Sequence, residues 1–261
     1  MNLKFENANT EMTLNNNFIM NVSSYERRVN SQDRYGKDGG VITGDQMVDS
    51  RKITFSFNPV AGTDSSYLEI VNDIIGFFNV ANSPFYLVDS DTDRRCEIVL
   101  LSADDEAQAE GLERRIGKNK LQFEMIDGHW EDNTANYVYS ETAGISSGDT
   151  LTVNNSADID CFPIITVEPY QVNTTFTIKN ITTGALITLG SNNFSPGSDF
   201  VIDSQEGTVY LYIGNSIVEL SSAMADGSGF IKLVPGVNEL EYTSAYGDVD
   251  IEVEFRRRYA F

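Results

Sequence analysis

The segment Asp89-Ser90-Asp91-Thr92-Asp93 sets carboxylates at alternate positions, the spacing with which a calcium-binding loop begins. The pattern then breaks. Arg94 stands where such a loop needs glycine for its tight turn, and Leu100 stands where a bidentate glutamate should close the coordination sphere. Arg94 and Arg95 also compete for the same carboxylates. The five residues therefore read as a polar hairpin turn between "FYLV" and "CEIVLL", and neither calcium nor another metal is expected to bind.

The other reactive residue types are as sparse. His129 is the sole histidine and stands beside the sole tryptophan, Trp130. One imidazole cannot build a histidine metal site within a single chain, and any Ser-His-Asp triad would have to use it. It reads instead as a residue at a joint between domains. The 39 acidic residues guarantee some neighbouring carboxylates, so no single pair stands out as the acid and base of glycoside hydrolysis. There is no Gly-x-x-x-x-Gly-Lys phosphate loop and no Gly-x-Gly-x-x-Gly after a strand. Cys96 and Cys161 are far apart and outside any Cys-x-x-Cys pair; they read as two small buried residues, with a bridge between them as the alternative. These residues point to a protein that is not an enzyme and needs no cofactor.

Charge narrows the partners. The 261 residues carry a net charge of −21, and it is uneven: residues 1–130 hold 13 basic and 21 acidic side chains, residues 131–261 only 5 and 18. A surface of that sign repels phosphate, which argues against sequence-specific or nonspecific nucleic-acid binding by counterion release. The N-terminus, "MNLKFENANTEM", lacks the basic start and apolar run of a signal peptide, and nowhere do eighteen uncharged apolar residues follow one another. A soluble protein without membrane insertion is expected. At 41% hydrophobic residues it can bury one large or two modest cores.

In the first half, "LKFEN" and "NNFIMNV" read as an early strand pair. The following segment, "SYERRVNSQDRYGKDGGVITG", is charged and weakly apolar, with turn signals at Gly36 and Gly39-Gly40. It is an extended loop or long hairpin, with two readings: a surface loop, or an arm that orders against another subunit. "SRKITFSFNP" alternates Ile53, Phe55 and Phe57 inward and stops at Pro59. One convincing helix follows. Ser66 and Glu69 make a capping box, and Leu68, Val71, Ile75 and Phe78, joined by Ile74, form the buried stripe. The hairpin "SPFYLVDSDTDRRCEIVLL", an acidic connection and the strand "KLQFEMID" lead to Gly128, His129 and Trp130.

From about Glu131 the composition changes to short strands rich in Thr, Ile, Val and Tyr, recurring every dozen or so residues with Gly, Asn and Ser between them. That is the signature of an antiparallel sandwich or jelly roll. The boundary falls near Trp130, within residues 128–148. The chain closes with Leu233, Val237, Leu240 and Tyr242 as one apolar set, a Pro-Gly turn among them, and Val249, Ile251, Val253 and Phe255 as a second. In the last strand Asp250, Glu252, Glu254 and Arg256 fill the opposite, wet face.

The order of these motifs resembles the siphophage distal tail proteins over the whole chain. In the first half the resemblance lies in an opening strand, the charged segment with Arg and Gly, "SRKITFSF", one helix, "FYLVDSDTDRRCEIVLL" and "DGHWED". In the second it lies in "CFPIITVEP", "TFTIKN", "FVIDSQEGTVYL", "LVPGVNEL" and a final strand ending in several Arg and a Tyr. The resemblance implies a mainly β fold of two domains. Residues 1–130 would form a sandwich-like belt domain with one α-helix, and residues 131–261 a galectin-like, jelly-roll β-sandwich.

It further implies a homo-hexameric ring joining the tail tube protein to the tail-tip or baseplate proteins around the DNA channel. The partners it implies are a hub protein of the tail-associated lysin type and, beyond it, a receptor-binding or tape-measure protein. The expected location is the virion tail tip, after synthesis in the host bacterial cytoplasm. Residues 24–44, with Arg27, Arg28, Arg34 and Lys37 among Glu26, Asp33 and Asp38, are expected at the contact between subunits. Arg51, Ile53 and Phe55 are expected to complete the belt. Larger family members carry carbohydrate-binding insertions, and this chain is too short and regular to hold one. The alternative function is a lectin-like sandwich, for which Tyr210, Tyr212, Tyr242 and Tyr246 are the available stacking platforms; three of the four fall at strand positions that read as core.

Overall fold

Period-two alternation of apolar residues produces a mainly β chain, with one α-helix among the described residues. The computed structural model describes residues 2–14, 18–22, 31–33, 40–42, 51–57, 64–105, 119–133, 138–171, 173–194, 196–245 and 247–260. It divides into two compact units, Met1–Trp130 and Glu131–Phe261.

The first unit contains β1 (Leu3–Glu6), β2 (Glu11–Thr13), β3 (Phe18–Val22), β4 (Ser31–Asp33), β5 (Gly40–Ile42), β6 (Arg51–Phe57) and α1 (Asp64–Phe77). After the helix come β7 (Phe85–Asp89), β8 (Arg94–Asp105), β9 (Asn119–Met125) and β10 (Trp130–Asp132), the last running across the boundary in sequence. The main sheet has the order β2-β1-β7-β8-β9-β6-β3, antiparallel throughout, while β4 and β5 pair only with each other. Phe5, Phe55, Phe78 and Phe123 make the centre of its core, with ring centroids 4.9–5.9 Å apart. Three of these contacts are edge-on, the arrangement that the ring quadrupole favours.

The helix differs from the expectation in rotation and in start. It begins at Asp64, which leaves Ser66 inside the first turn and removes the capping-box role of Ser66 and Glu69. Its buried residues are Tyr67, Val71, Ile74, Phe77 and Phe78, whereas Leu68 and Ile75 are 54% and 42% exposed. A stripe at three-four spacing can be drawn through either position 67 or 68, and tyrosine buries more surface than leucine. Its hydroxyl is satisfied as well, accepting from Asn119 Nδ2 at 2.9 Å. The helix therefore turns Tyr67 inward.

The second unit contains β11 (Val138–Ile145), β12 (Thr150–Asn155), β13 (Ile164–Pro169), β14 (Asn173–Asn180), β15 (Leu186–Phe194) and β16 (Ser198–Asp203). It continues with β17 (Thr208–Ile213), β18 (Ser216–Glu219), β19 (Gly236–Ser244), β20 (Val249–Phe255) and β21 (Arg258–Tyr259). A six-stranded sheet, β11-β20-β13-β16-β17-β18, and a four-stranded sheet, β12-β19-β14-β15, share one hydrophobic core. That is the antiparallel sandwich expected from the sequence. Strand β20 lies inside its sheet, with Val249, Ile251, Val253 and Phe255 buried.

In β19 the expectation is half right. Leu240 and Tyr242 are buried, but Val237 is 57% exposed and Asn238 fully buried. The parity set by Leu240 and Tyr242 sends position 238 inward and 237 outward, whatever their polarity.

Candidate functional site

The first unit's candidate assembly strand is β6. It pairs with β9 along its whole length and with β3 from Ile53 to Phe57, so its backbone is already committed over that span. Ile53 and Phe55 are buried with Arg51 in the unit's own core. Of β6, the face carrying Lys52, Thr54 and Ser56 is left for a neighbour, Lys52 being exposed and the other two half-buried. Arg27, Arg28, Arg34 and Lys37 lie outside the described residues. Within the same segment Ser31, Gln32 and Asp33 pair with Ile42, Val41 and Gly40.

The sequence's other chemical candidates resolve into structure. The acidic pentad is the turn between β7 and β8: Asp89 accepts from Asp91 N at 3.1 Å and Thr92 Oγ1 at 2.9 Å. Asp93 takes a positive φ of 53°, the left-handed value that lets the hairpin reverse. His129 Nδ1 lies 2.6 Å from Asp127 O, a bond within its own turn. Among the described residues no three His, Cys, Asp or Glu side chains are grouped to hold a metal. No described helix is long and apolar enough to cross a membrane. Cys96 and Cys161 are buried free thiols, and burial pushes the Cys161 thiol up to about 11. Tyr242 is core; Tyr210 and Tyr212 are half-buried on the outer face of β17, contrary to the core reading; Tyr246 lies outside the described residues.

Two polar assemblies in the second unit carry no obvious mark in sequence. At the first, Asp132 is buried at the unit's beginning and receives the unit's end. Its Oδ2 accepts from Arg257 Nε at 2.7 Å and Arg257 N at 3.2 Å, and its Oδ1 from Arg257 Nη2 at 3.2 Å and Tyr259 Oη at 3.1 Å. Its backbone N donates to Arg257 O at 3.0 Å. The Asp132 carboxylate holds the Arg257 guanidinium pKa above its ordinary value. The only available signal was a run of three arginines in a half of the chain that is otherwise nearly pure acid.

The second assembly is a set of buried asparagines on β12, β14 and β19. Asn238 accepts from Val234 N at 3.0 Å and donates to Val234 O at 2.8 Å, closing the turn over Gly236, whose φ is +97°. Asn180 Nδ2 donates to Lys232 O at 2.9 Å and Asn238 Oδ1 at 3.1 Å, while Asn155 Nδ2 donates to Leu233 O at 2.9 Å. Together they fasten the segment 232–236 to the sheet, alongside the Cys161 N–H that donates to Leu233 O at 2.9 Å. Both assemblies are scaffolding.

The two units are antiparallel β folds, the second held together by these buried polar groups. Residues 8–125 match the family described as phage tail protein RIFT-related domain, and residues 156–259 match the siphovirus-type tail component, C-terminal domain. No curated protein matches the chain in sequence. The fold is similar to the crystal structure of the Dit protein of phage SPP1, described as a paradigm of the hub adsorption apparatus in phages infecting Gram-positive bacteria. Identity is 16%, the TM-score is 0.70, and the likeness covers 98% of each chain. It is also similar to a chain of the phage p2 baseplate in its activated conformation with calcium, at 12% identity and a TM-score of 0.50 over 100% of this chain and 99% of that one. The same baseplate with strontium gives 13% and 0.50 over the same shares. The chain belongs to the siphophage distal tail protein family, and its role is that of a structural component of a phage tail.

Proposed function

We propose that six copies of this chain form a ring at the end of the tail tube, joining it to the tail-tip or baseplate hub around the DNA channel. The observation that supports this best is the order of two tail-component matches, one in each unit, within a fold likeness that covers 98% of this chain and of the SPP1 Dit chain. In this reading the first unit is the belt. Residues 24–44 supply directional charged donors to the adjacent subunit, and the outer face of β6 supports them. Adjacent arginines on an extended chain point to opposite sides, so Arg27 and Arg28 reach two different acids. The protein acts without catalysis, in the virion tail tip, after synthesis in the host cytoplasm. Net charge of −21 suits a wall past which a genome slides without adhering.

The test is mass by light scattering, with electron microscopy of the purified chain alone and mixed with its tail-tube neighbour. A particle of six 28.9 kDa subunits with a central hole is expected. A chain that stays monomeric over a wide concentration range, and in the presence of the neighbour, refutes the ring. Changing Arg27→Ala together with Arg28→Ala should disrupt it, and an intact ring in that variant refutes the role given to those two residues. Retardation of duplex DNA at physiological salt refutes the non-adhesive wall.

A further inference from the structure

Strand β18 ends the six-stranded sheet of the second unit, and its four residues are exposed on both faces, with Ile217 at 62% and Val218 at 44%. Its pairing with β17 runs in unbroken register from Ile213↔Ser216 to Tyr210↔Glu219. The two-residue turn between them begins at Gly214, whose φ is +56°. The pair flanking such a turn exchanges both backbone hydrogen bonds, and bonding then alternates along the strand. Ser216 and Val218 therefore bond toward β17, and Leu220 continues the series by donating to Val209 O at 2.7 Å. Ile217 and Glu219 turn their N–H and C=O the other way, to the open side.

The other strand edges of this unit are blunted. β11 has a register shift between Thr142 and Ile145, the β14–β15 pair has one between Asn173 and Thr175, and β12 shows Thr150, Thr152 and Asn154 to solvent. Bulges and polar side chains are the usual defences of an edge; an apolar, regular edge invites an added strand. Charge says which strand. There is no Lys or Arg between Lys179 and Lys232, while Asp199, Asp203, Glu206, Glu219 and Asp226 fall in that stretch. On the outer face Tyr212 lies between Asp199 and Ile217, and Tyr210 between Val201 and Glu219.

We infer that the open edge of β18 is a docking site for an extended, cationic segment of a partner protein, which adds to the sheet as a further strand. Its recognition element is an apolar residue beside Ile217 and an Arg or Lys two residues away, beside Glu219, with the backbones bonded through those two positions. A second copy of this chain fits poorly, because it brings acid to acid. The inference rests on the second unit alone and is independent of ring formation by the first.

The experiment uses the full chain and a fluorescent ten-residue peptide of repeated Val-Thr-Arg-Thr, which sets valine and arginine two residues apart on one face of a strand. Its controls are the same peptide N-methylated at alternate amides, and the peptide with aspartate in place of arginine. Binding of the cationic peptide is expected, with at least tenfold slower amide exchange over residues 216–219, and at least tenfold weaker binding of both controls. Ile217→Pro removes an outward N–H that the hairpin does not use and should abolish binding. Should that variant melt early, Glu219→Lys gives the second reading: it should reject the cationic peptide and accept the aspartate one. Equal binding of the N-methylated peptide, or protection elsewhere in the chain, overturns the site. So does concentration-dependent self-association that Ile217→Pro removes, which assigns the edge to a second copy. Displacement of the bound peptide by an oligosaccharide stacking on Tyr210 and Tyr212 assigns the face to glycan and also overturns the proposal.

Discussion

Replacing Arg257 by leucine tests whether the second unit is closed by its ends. The variant removes the two guanidinium bonds to Asp132, at 2.7 and 3.2 Å, and leaves a buried carboxylate with one backbone N–H and the Tyr259 hydroxyl. Breaking a buried ion pair costs roughly 3–5 kcal/mol. The Arg257 side chain is 30% exposed against 3% for Asp132, so water screens one partner and the loss falls to about 2–3 kcal/mol. Asp132→Asn should lose a similar amount, since it keeps the shape but aims an amide donor at other donors. The double variant should lose less than the sum, with a coupling of about 1–2 kcal/mol. For a unit of this size 1 kcal/mol moves the melting temperature by about 3–5 °C, so each single variant should melt roughly 6–15 °C lower. Denaturant unfolding read by the fluorescence of Trp130, buried two residues before Asp132, together with circular dichroism, gives the free energies. A buried pair should keep its contribution in 0.5 M salt. Single variants within about 0.5 kcal/mol of the native protein, or a coupling that salt erases, would refute the closure.

The buried thiol, the asparagine turn and the aromatic core give three more tests. Because burial raises the Cys161 thiol from 9.0 to about 11, the native state keeps a proton that the unfolded chain has lost. Stability from this group is intact below pH 9 and falls as pH rises toward 11, by roughly 2–3 kcal/mol. Denaturation midpoints of wild type and Cys161→Ala should therefore converge with rising pH, and parallel pH curves would contradict the assignment. Asn238→Ala leaves Val234 N and O without their partner and should destabilise the second unit by about 2–3 kcal/mol, with faster amide exchange at Val234. Unchanged exchange there means that the turn holds without the side chain. Phe123→Ala opens a hole among Phe5, Phe55 and Phe78 and should cost about 3–5 kcal/mol in the first unit, measured by denaturant unfolding. A loss under 1 kcal/mol would mean that the helix collapses into the gap.

What could be read from the sequence followed parity. Ile53, Phe55 and Phe57, and Val249 to Phe255, alternate without interruption, and a period of two leaves one choice of face. The helix offered two choices, and the decisive contact, Tyr67 against Asn119, joins residues far apart in the chain. Val237 faces out although apolar, because parity and not polarity fixes its side; the buried Asn238 is acceptable inside because Val234 presents both a donor and an acceptor to it and Asn180 a further donor. The Asp132 closure was hidden for the same reason. Its partners lie 125 and 127 residues away, and nothing local sets this carboxylate apart from its neighbours.

That closure gives the second unit a property of its own. Where a chain enters and leaves a domain at one point, everything between the two passages is a detour, and the detour can be lengthened, shortened or exchanged without moving its anchorage. Residues 133–256 are such a detour, held at its neck by the Asp132 carboxylate, the Arg257 guanidinium and backbone, and the Tyr259 hydroxyl. A different sandwich placed between the same two passages would keep this closure as long as it brought an arginine back to Asp132.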